Sequence, residues 1–435
     1  MESTWASPDR CHHARGGCAM TLTRREMLGA LAGAPAWADA PYFGLHDFIE
    51  QHPKAVFIRR TRVPHKMDRE AKLREGLALA RQIFVPKTAP GVPVSHRVIL
   101  KPNMTSVRSR GRADEENWGT GTDPEFCEGL ILRLKELGVR KFHSVETNLY
   151  HSWHYRGFMD MYERHGVELN ETEQNYRPPR AEREIVWSRV PDGVIYDRIP
   201  HHWPVNAPDT WLLNIAKWKG HSMCLTQAVK NEQGLVCLPF IRFCQGMRMV
   251  ANVPDVMKPH MCRDAAERVQ RYFENHLKMG FRRYQARPED NTVSPLAQEI
   301  WAHKTLDNQS VLNTGLAMIE GIYSRDGDGF GVGNDYLTNL VMFSKDKFRL
   351  DIIGLWLGGH EPGNVYLYRI AKERGLSDTF NPWEVDLYEW TDEGPIARKL
   401  TDFPRHELKS IYLRMPGEPE LHLANEPVDY ERLKF

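Results

Sequence analysis

The sequence predicts an α/β fold: a mostly parallel, open, Rossmann-like sheet flanked by helices and broken by long loop insertions. Two observations lead there. Short apolar runs of strand length alternate with segments of helical period across short connections, as in βαβ units. Four polar clusters also stand at the ends of strand-like runs, where open α/β sheets bind their ligands.

Taken in order, Lys54 to Arg59 reads as a strand, and Met67 to Phe84 as a helix with Leu73, Leu77, Ala80 and Phe84 on one face. Arg97 to Lys101 is a second strand, stopped at Pro102-Asn103. Pro124 to Leu137 is helical, with Asp123 as N-cap, proline in its first turn and Gly138 as its stop. Lys141 to Val145 is strand-like, and Phe158 to His165 is a helix ended by Gly166. The polar stretch from Thr172 to Arg183 reads as a loop. Trp211 to Ala216 and Val311 to Glu320 are buried strands, and a helix is expected to start near Cys224 and reach Lys230-Asn231. Met261 to Met279, Lys347 to Leu357 and Val365 to Arg374 are further helices, and Arg282 to Pro295 a polar loop. There is no repeat, low-complexity tract or clear linker. Residues 41–435 therefore read as one interrupted α/β domain.

Composition narrows the functional classes. Hydrophobic residues make up 41% and charged residues 26% of 435, ordinary globular usage. Lys and Arg number 58 against 57 Asp and Glu, a net charge of +1, so no bulk electrostatic case exists for nucleic acid. Seven cysteines without a C-x-x-C spacing exclude a disulfide scaffold and leave no iron–sulfur motif. Residues 1–40 read as an upstream extension and an address label. Arg24-Arg25 precede a short, mildly apolar run, and Ala38-Asp39-Ala40 is a cleavage candidate. This is the pattern of a twin-arginine signal, with the translocation machinery as partner, a periplasmic or otherwise exported destination, and a mature start near Pro41. The run is too short for a stable membrane span. The alternative is an amphipathic helix that stays attached.

Four clusters carry the candidate chemistry. Lys101 and Asn103 at a strand exit can hold a carboxylate or phosphate; the plainer reading is a turn with a surface lysine. Glu146, leading Thr147-Asn148, can act as a base or ligand; the plainer reading is a helix cap. Lys217, Lys219 and His221, followed by Lys230 and Asn231, gather cations and a proton carrier beside an expected helix N-terminus, a setting for an anion. The alternative is a solvated charge run. Asp326 and Asp328 sit in a Gly-rich loop after Tyr323 and suit a divalent metal, although the spacing is no EF-hand and the glycines form no nucleotide fingerprint. The alternative is a loop that closes over the site.

Together the clusters resemble the domain of unknown function 362 family. The resemblance rests on Val98-Ile-Leu-Lys101-Pro-Asn103, on Thr122-Asp-Pro-Glu125, and on Leu213-Asn214-Ile-Ala-Lys217-Trp-Lys219-Gly-His221 with Leu225-Thr226 and Lys230-Asn231-Glu-Gln-Gly234. It continues in Gly327-Asp328-Gly329, Leu350-Asp351-Ile-Ile-Gly354 and Asn364 to Leu376. It implies one α/β domain and marks which loops face the site. Some members carry appended iron–sulfur motifs that this chain lacks, and no general reaction comes with the family.

Two functions stay open. The first is an enzyme acting on a small anionic substrate, with His221, Lys219 and Glu146 catalytic, Lys101, Asn103, Lys217, Lys230 and Asn231 holding substrate, and Asp326 and Asp328 on a metal. The second is a binding or assembly factor that clamps an anion or a metallocofactor. Both expect Asn103, Glu146, His221 and Asp328 to meet at one sheet edge. The neighbouring lysine should hold the His221 imidazole below its ordinary value of about 6.5.

Overall fold

In the computed structural model the described residues are 41–88, 90–104, 118–146, 153, 156–171, 185–221, 224–237, 240, 253, 255–281, 295–410, 414–415, 418–422 and 426–433. The expected signal segment, Thr147-Asn148, and the expected loop stretches 172–183 and 282–294 lie outside them.

The chain opens with β1 (Tyr42–Leu45), α1 (Asp47–Gln51) and β2 (Val56–Arg60). Next come α2 (Arg69–Ile83), β3 (Phe84–Lys87), β4 (Val92–Pro93) and β5 (Arg97–Pro102). The Asp123 carboxylate accepts from the amides of Glu125 and Phe126 and so starts α3 (Pro124–Glu136), as the sequence predicts. Then follow β6 (Lys141–Glu146), α4 (Phe158–His165), β7 (Val167–Glu171), β8 (Ile185–Arg189), β9 (Arg198–His202), β10 (Thr210–His221) and β11 (Cys224–Thr226). The second half holds α5 (Ala228–Asn231), α6 (Ala265–Lys278), α7 (Pro295–Gln309), β12 (Thr314–Arg325) and β13 (Asp335–Ser344). It continues through α8 (Lys347–Leu357), α9 (Tyr366–Glu373), β14 (Leu387–Thr391) and β15 (Gly394–Arg398).

The main sheet runs β15-β14-β2-β13-β12-β10-β5-β6-β7, with β11 folded back on β10. Its centre and one wing are parallel, from β12 through β10, β5 and β6 to β7. β14 and β2 are parallel too, whereas β12–β13, β13–β2, β14–β15 and β10–β11 are antiparallel. The α/β expectation holds, as a mixed sheet with more parallel than antiparallel pairs.

Side chains leave β10 alternately. Leu213 and Ile215 enter the core under α2, α3 and α4, while Ala216 and Trp218 enter the core under α7, α8 and α9. Leu213 and Ile215 each stabilise by about 1.5–3 kcal/mol relative to exposure. Covered on both faces, the central strands deliver their last residues to one carboxyl edge.

Three expectations change. The helix expected from Cys224 is a strand followed by one short helical turn, because residues 224–226 pair with 219–221 as a hairpin. No strand is expected over 335–344, yet β13 fills it; its first residues are polar and partly exposed and only Leu340 to Phe343 are fully apolar and buried. No element is expected over 296–309 either. α7 is buried nearly all round and includes Glu299, His303 and Asp307, so it has no apolar stripe to betray it.

Candidate functional site

β5 and β6 end side by side, and their last side chains form a buried ion pair. Lys101 Nζ donates to Glu146 Oε2 at 2.5 Å and to Asn231 Oδ1 at 3.2 Å. The same carboxylate oxygen accepts the Met104 amide at 3.1 Å. Asn231, at the end of α5, joins three elements: its Nδ2 donates to the Lys101 carbonyl and to Asn214 Oδ1, and its Oδ1 also accepts from Asn103 Nδ2 at 2.9 Å. Asn214 in turn donates to Ala228 O and Glu232 Oε1, and Lys347 closes the chain on Glu232 at 2.8 Å. Gly234 is a packing residue rather than a helix stop. A Cβ there would lie 1.9 Å from Glu146 Oε1 and 2.8 Å from Lys101 Cε. Burial pulls the Lys101 ammonium below its ordinary value, and Glu146 pulls it back up. Lys101, Glu146 and Asn231 thus bind one another tightly.

Lys217 is similarly engaged. Its Nζ donates to Glu320 Oε2 at 2.6 Å, and that carboxylate also accepts the amides of Asp123 and Ile322. Behind it, Lys72 pairs with Asp123 at 2.5 Å. Burial would raise the Asp123 carboxyl, but Lys72, a side-chain hydrogen bond with Glu125 and the charge of Lys217 hold it at about 2.

Lys219 and His221 stand beyond these pairs, where β10 turns into β11. Lys219 Nζ donates to the Gly329 carbonyl at 2.9 Å and lies 4.0 Å from the centre of the Phe330 ring. The His221 ring is 6.3 Å from the same Phe330 ring and 6.4 Å from Trp301. Both residues are buried. Burial drives the Lys219 ammonium well below its usual range; Lys230, Arg156 and Arg325 push the same way, and Asp328 pulls back. His221 is likewise held well below 6.5, by burial first and then by Lys230 and Lys219. The direction matches expectation, but burial is the larger cause.

The loop between β12 and β13 is clamped on β10 at this point. Gly329 has φ of +74°, and a Cβ on it would lie 1.8 Å from the Gly220 carbonyl. Gly327 donates its amide to Lys409 O, and Ser410 donates its hydroxyl to the His221 carbonyl. Asp326 and Asp328 shape this loop. Asp326 accepts the Asn334 amide and the Tyr336 hydroxyl, and Asp328 Oδ1 accepts the amides of Phe330 and Val332. Among the described residues no three His, Cys, Asp or Glu side chains are grouped as a metal site.

The expected helix N-terminus does not face an anion. α5 has four residues, and the amides of Ala228 and Val229 donate to Asp351. Tyr368 donates to the same carboxylate, yet burial still raises it to about 8. Cys127, Cys224 and Cys237 are buried, and Cys262 is partly exposed.

Residues 98–356, more than half of the chain, match the family model described as Domain of unknown function (DUF362). The chain belongs to this family. No curated protein and no solved structure matches it. The DUF362 match spans every site residue named above from Lys101 to Asp351, and leaves β1 to β4 and the β14–β15 hairpin outside.

The structure brings Lys101, Asn103, Glu146 and Asn231 into one cluster and Lys219, His221 and the Asp328 loop into another, with Lys230 acting on Lys101, Lys219 and His221 alike. Lys217 belongs to a third group with Glu320. Sequence reasoning missed Arg156, Arg325, Phe330 and Thr226. Arg325 and Phe330 flank the Asp-Gly alternation and were legible there. Arg156 carries no local pattern, and the Thr226 signal is its place opposite Lys219 in the hairpin.

Proposed function

We propose that this DUF362 protein binds a small anion at the carboxyl edge of its sheet and acts on it as an enzyme, with His221 moving the proton. One observation carries the reading: Lys219 and His221 are buried side by side at the end of β10, Lys230 acts on both, and Arg156 and Arg325 act on Lys219 against Asp328. An anion is the natural counterweight to such a cluster. The Thr226 hydroxyl adds support, as a buried group that can donate to an anion and has no hydrogen-bond partner among the described residues. Without an anion the imidazole is held neutral, and a bound anion would raise its proton affinity so that it can take a proton. Lys101 and Glu146 build the floor of the site.

The binding-factor reading has one observation in its favour: the two charges that lower His221, those of Lys230 and Lys219, are cations that can hold an anion without any proton transfer. Calorimetry with inorganic phosphate and with oxalate tests the shared premise. Binding that Lys230→Met weakens supports an anion site, and no binding to either ligand removes it. Turnover lost in His221→Gln with binding kept supports the enzyme.

We also propose export through the twin-arginine route, on Arg24-Arg25 and Ala38-Asp39-Ala40. Among the described residues no helix is long and apolar enough to cross a membrane. Changing both arginines to lysine should hold the protein in the cytoplasm, and unchanged export would refute the signal.

A further inference from the structure

We infer that a cavity near the amino end of the sheet, between β8 and the first residues of β5 and β10, binds a small neutral polyhydroxy compound such as a monosaccharide. This site is distinct from the anion site and does not depend on it. Leu212 in the cavity and Lys219 at the carboxyl edge are seven residues apart on β10, about 23 Å at the strand rise.

The cavity is built from segments that the fold brings together from far apart in sequence. Its volume of about 320 Å³ lies within the range of about 300–1,000 Å³ of small-ligand sites. Ile99 and Leu212 are register partners on adjacent parallel strands, and with Val205 they make a buried apolar floor. Asn206 ties the walls to one another. Its Nδ2 donates to Ser188 Oγ on β8 and to the Val311 carbonyl before β12, both at 3.0 Å. Both hydrogens of that nitrogen are then used, and Asn206 Oδ1 is left to accept. The Thr210 hydroxyl donates to the Ala207 carbonyl at 2.7 Å and keeps its lone pairs. Asn206 has φ of +59° and Asp209 has +58°, in the left-handed region that Asn and Asp enter more readily than other side chains. Asn313, also in the lining, is exposed, so the cavity opens to solvent there.

The lining selects a class of ligand. Ser188, Asn206, Thr210 and Asn313 are uncharged hydrogen-bonding residues, and among the described residues no ionisable side chain and no aromatic ring lines the cavity. An acid or an amine meets no counter-charge there. A flat aromatic molecule meets no ring to stack on. Hydroxyl groups both donate and accept, and so match a rim of amides and hydroxyls. The C–H groups of a saturated ring match the floor of Ile99, Val205 and Leu212.

The test is saturation-transfer NMR and calorimetry on the full-length protein with D-glucose, D-galactose and myo-inositol, each repeated with oxalate present. At least one of the three should bind with a Kd of about 1 mM or tighter. Asn313→Ala should weaken that binding about fivefold, the effect of one hydrogen bond. Ala207→Leu adds bulk at a lining residue and should abolish it. Oxalate should not compete. Asn313 is exposed, so its variant answers the question even if Ala207→Leu fails to fold. Absence of binding by all three compounds overturns the inference. Binding that every folded variant leaves unchanged overturns it too. Binding displaced by oxalate also overturns it, by assigning the compound to the carboxyl edge.

Discussion

His221 and His276 are both buried histidines, one at the sheet's carboxyl edge and one in the helical layer, and their surroundings act on the proton in opposite ways. His276 Nδ1 lies 2.6 Å from Glu299 Oε1 and its Nε2 lies 2.8 Å from Glu373 Oε2, while His303 shares the Glu299 oxygen at 3.1 Å. Burial alone would depress His276, but the two carboxylates raise it above 6.5. His221 meets Lys230 and Lys219 instead, and burial and charge add. The same desolvation therefore leaves the imidazolium favoured between α6, α7 and α9 in one region and the neutral imidazole favoured in the other. Company, not depth, separates a structural histidine from one suited to chemistry.

The largest effect should come from splitting a paired lysine from its acid. Glu146→Ala leaves the buried Lys101 amine without its acid and should cost about 3–5 kcal/mol in urea unfolding. Lys219→Met, at a residue just as buried, should cost far less, because it removes an amine whose charge the site disfavours. Equal losses would erase the distinction.

Anion affinity should show the reverse order. Lys219→Met and Lys230→Met should each weaken phosphate or oxalate binding about tenfold, about 1.4 kcal/mol. The loss should be greater at low salt, where charge is least screened. Calorimetry at two ionic strengths measures both, and a salt-independent loss would point to packing rather than charge.

The two histidines should give opposite pH slopes. The raised folded value of His276 means its contribution is full below about 6.5 and fades as pH rises through the folded value. Glu373→Gln should therefore destabilise by about 1.5–3 kcal/mol at pH 6 and by less at pH 9. The depressed value of His221 works the other way: stability tied to it is present above about 6.5 and lost as pH falls toward its folded value. His221→Gln should flatten the acid side of the stability profile. Denaturant melts across pH check both signs.

The smallest effect belongs to the loop. Asp328→Ala removes the acceptor of the Phe330 and Val332 amides and should cost about 1 kcal/mol. Denaturant melts of the variant measure it.

The sequence by itself determined the elements that carry a period or a cap. Asp123 and Pro124 start α3, Gly166 ends α4 in the left-handed region, and the apolar run from Trp211 marks β10. It also marked the carboxyl-edge clusters, since polar residues that end an apolar strand stand out along a chain. Only the tertiary structure decided which of them pair. That Lys101 meets Glu146 45 residues away, that Lys217 meets Glu320, and that Gly329 is pressed on Gly220 depends on strand order, which local pattern does not encode. Tertiary contacts likewise turned the expected helix at Cys224 into a hairpin strand and gave the α5 amides to Asp351. They also hid α7, because a helix buried on every side needs no apolar face. The physical reason is common to all of these. Propensity and periodicity act within a few residues, whereas burial and charge pairing are set by whichever distant side chain the fold brings within a few ångströms.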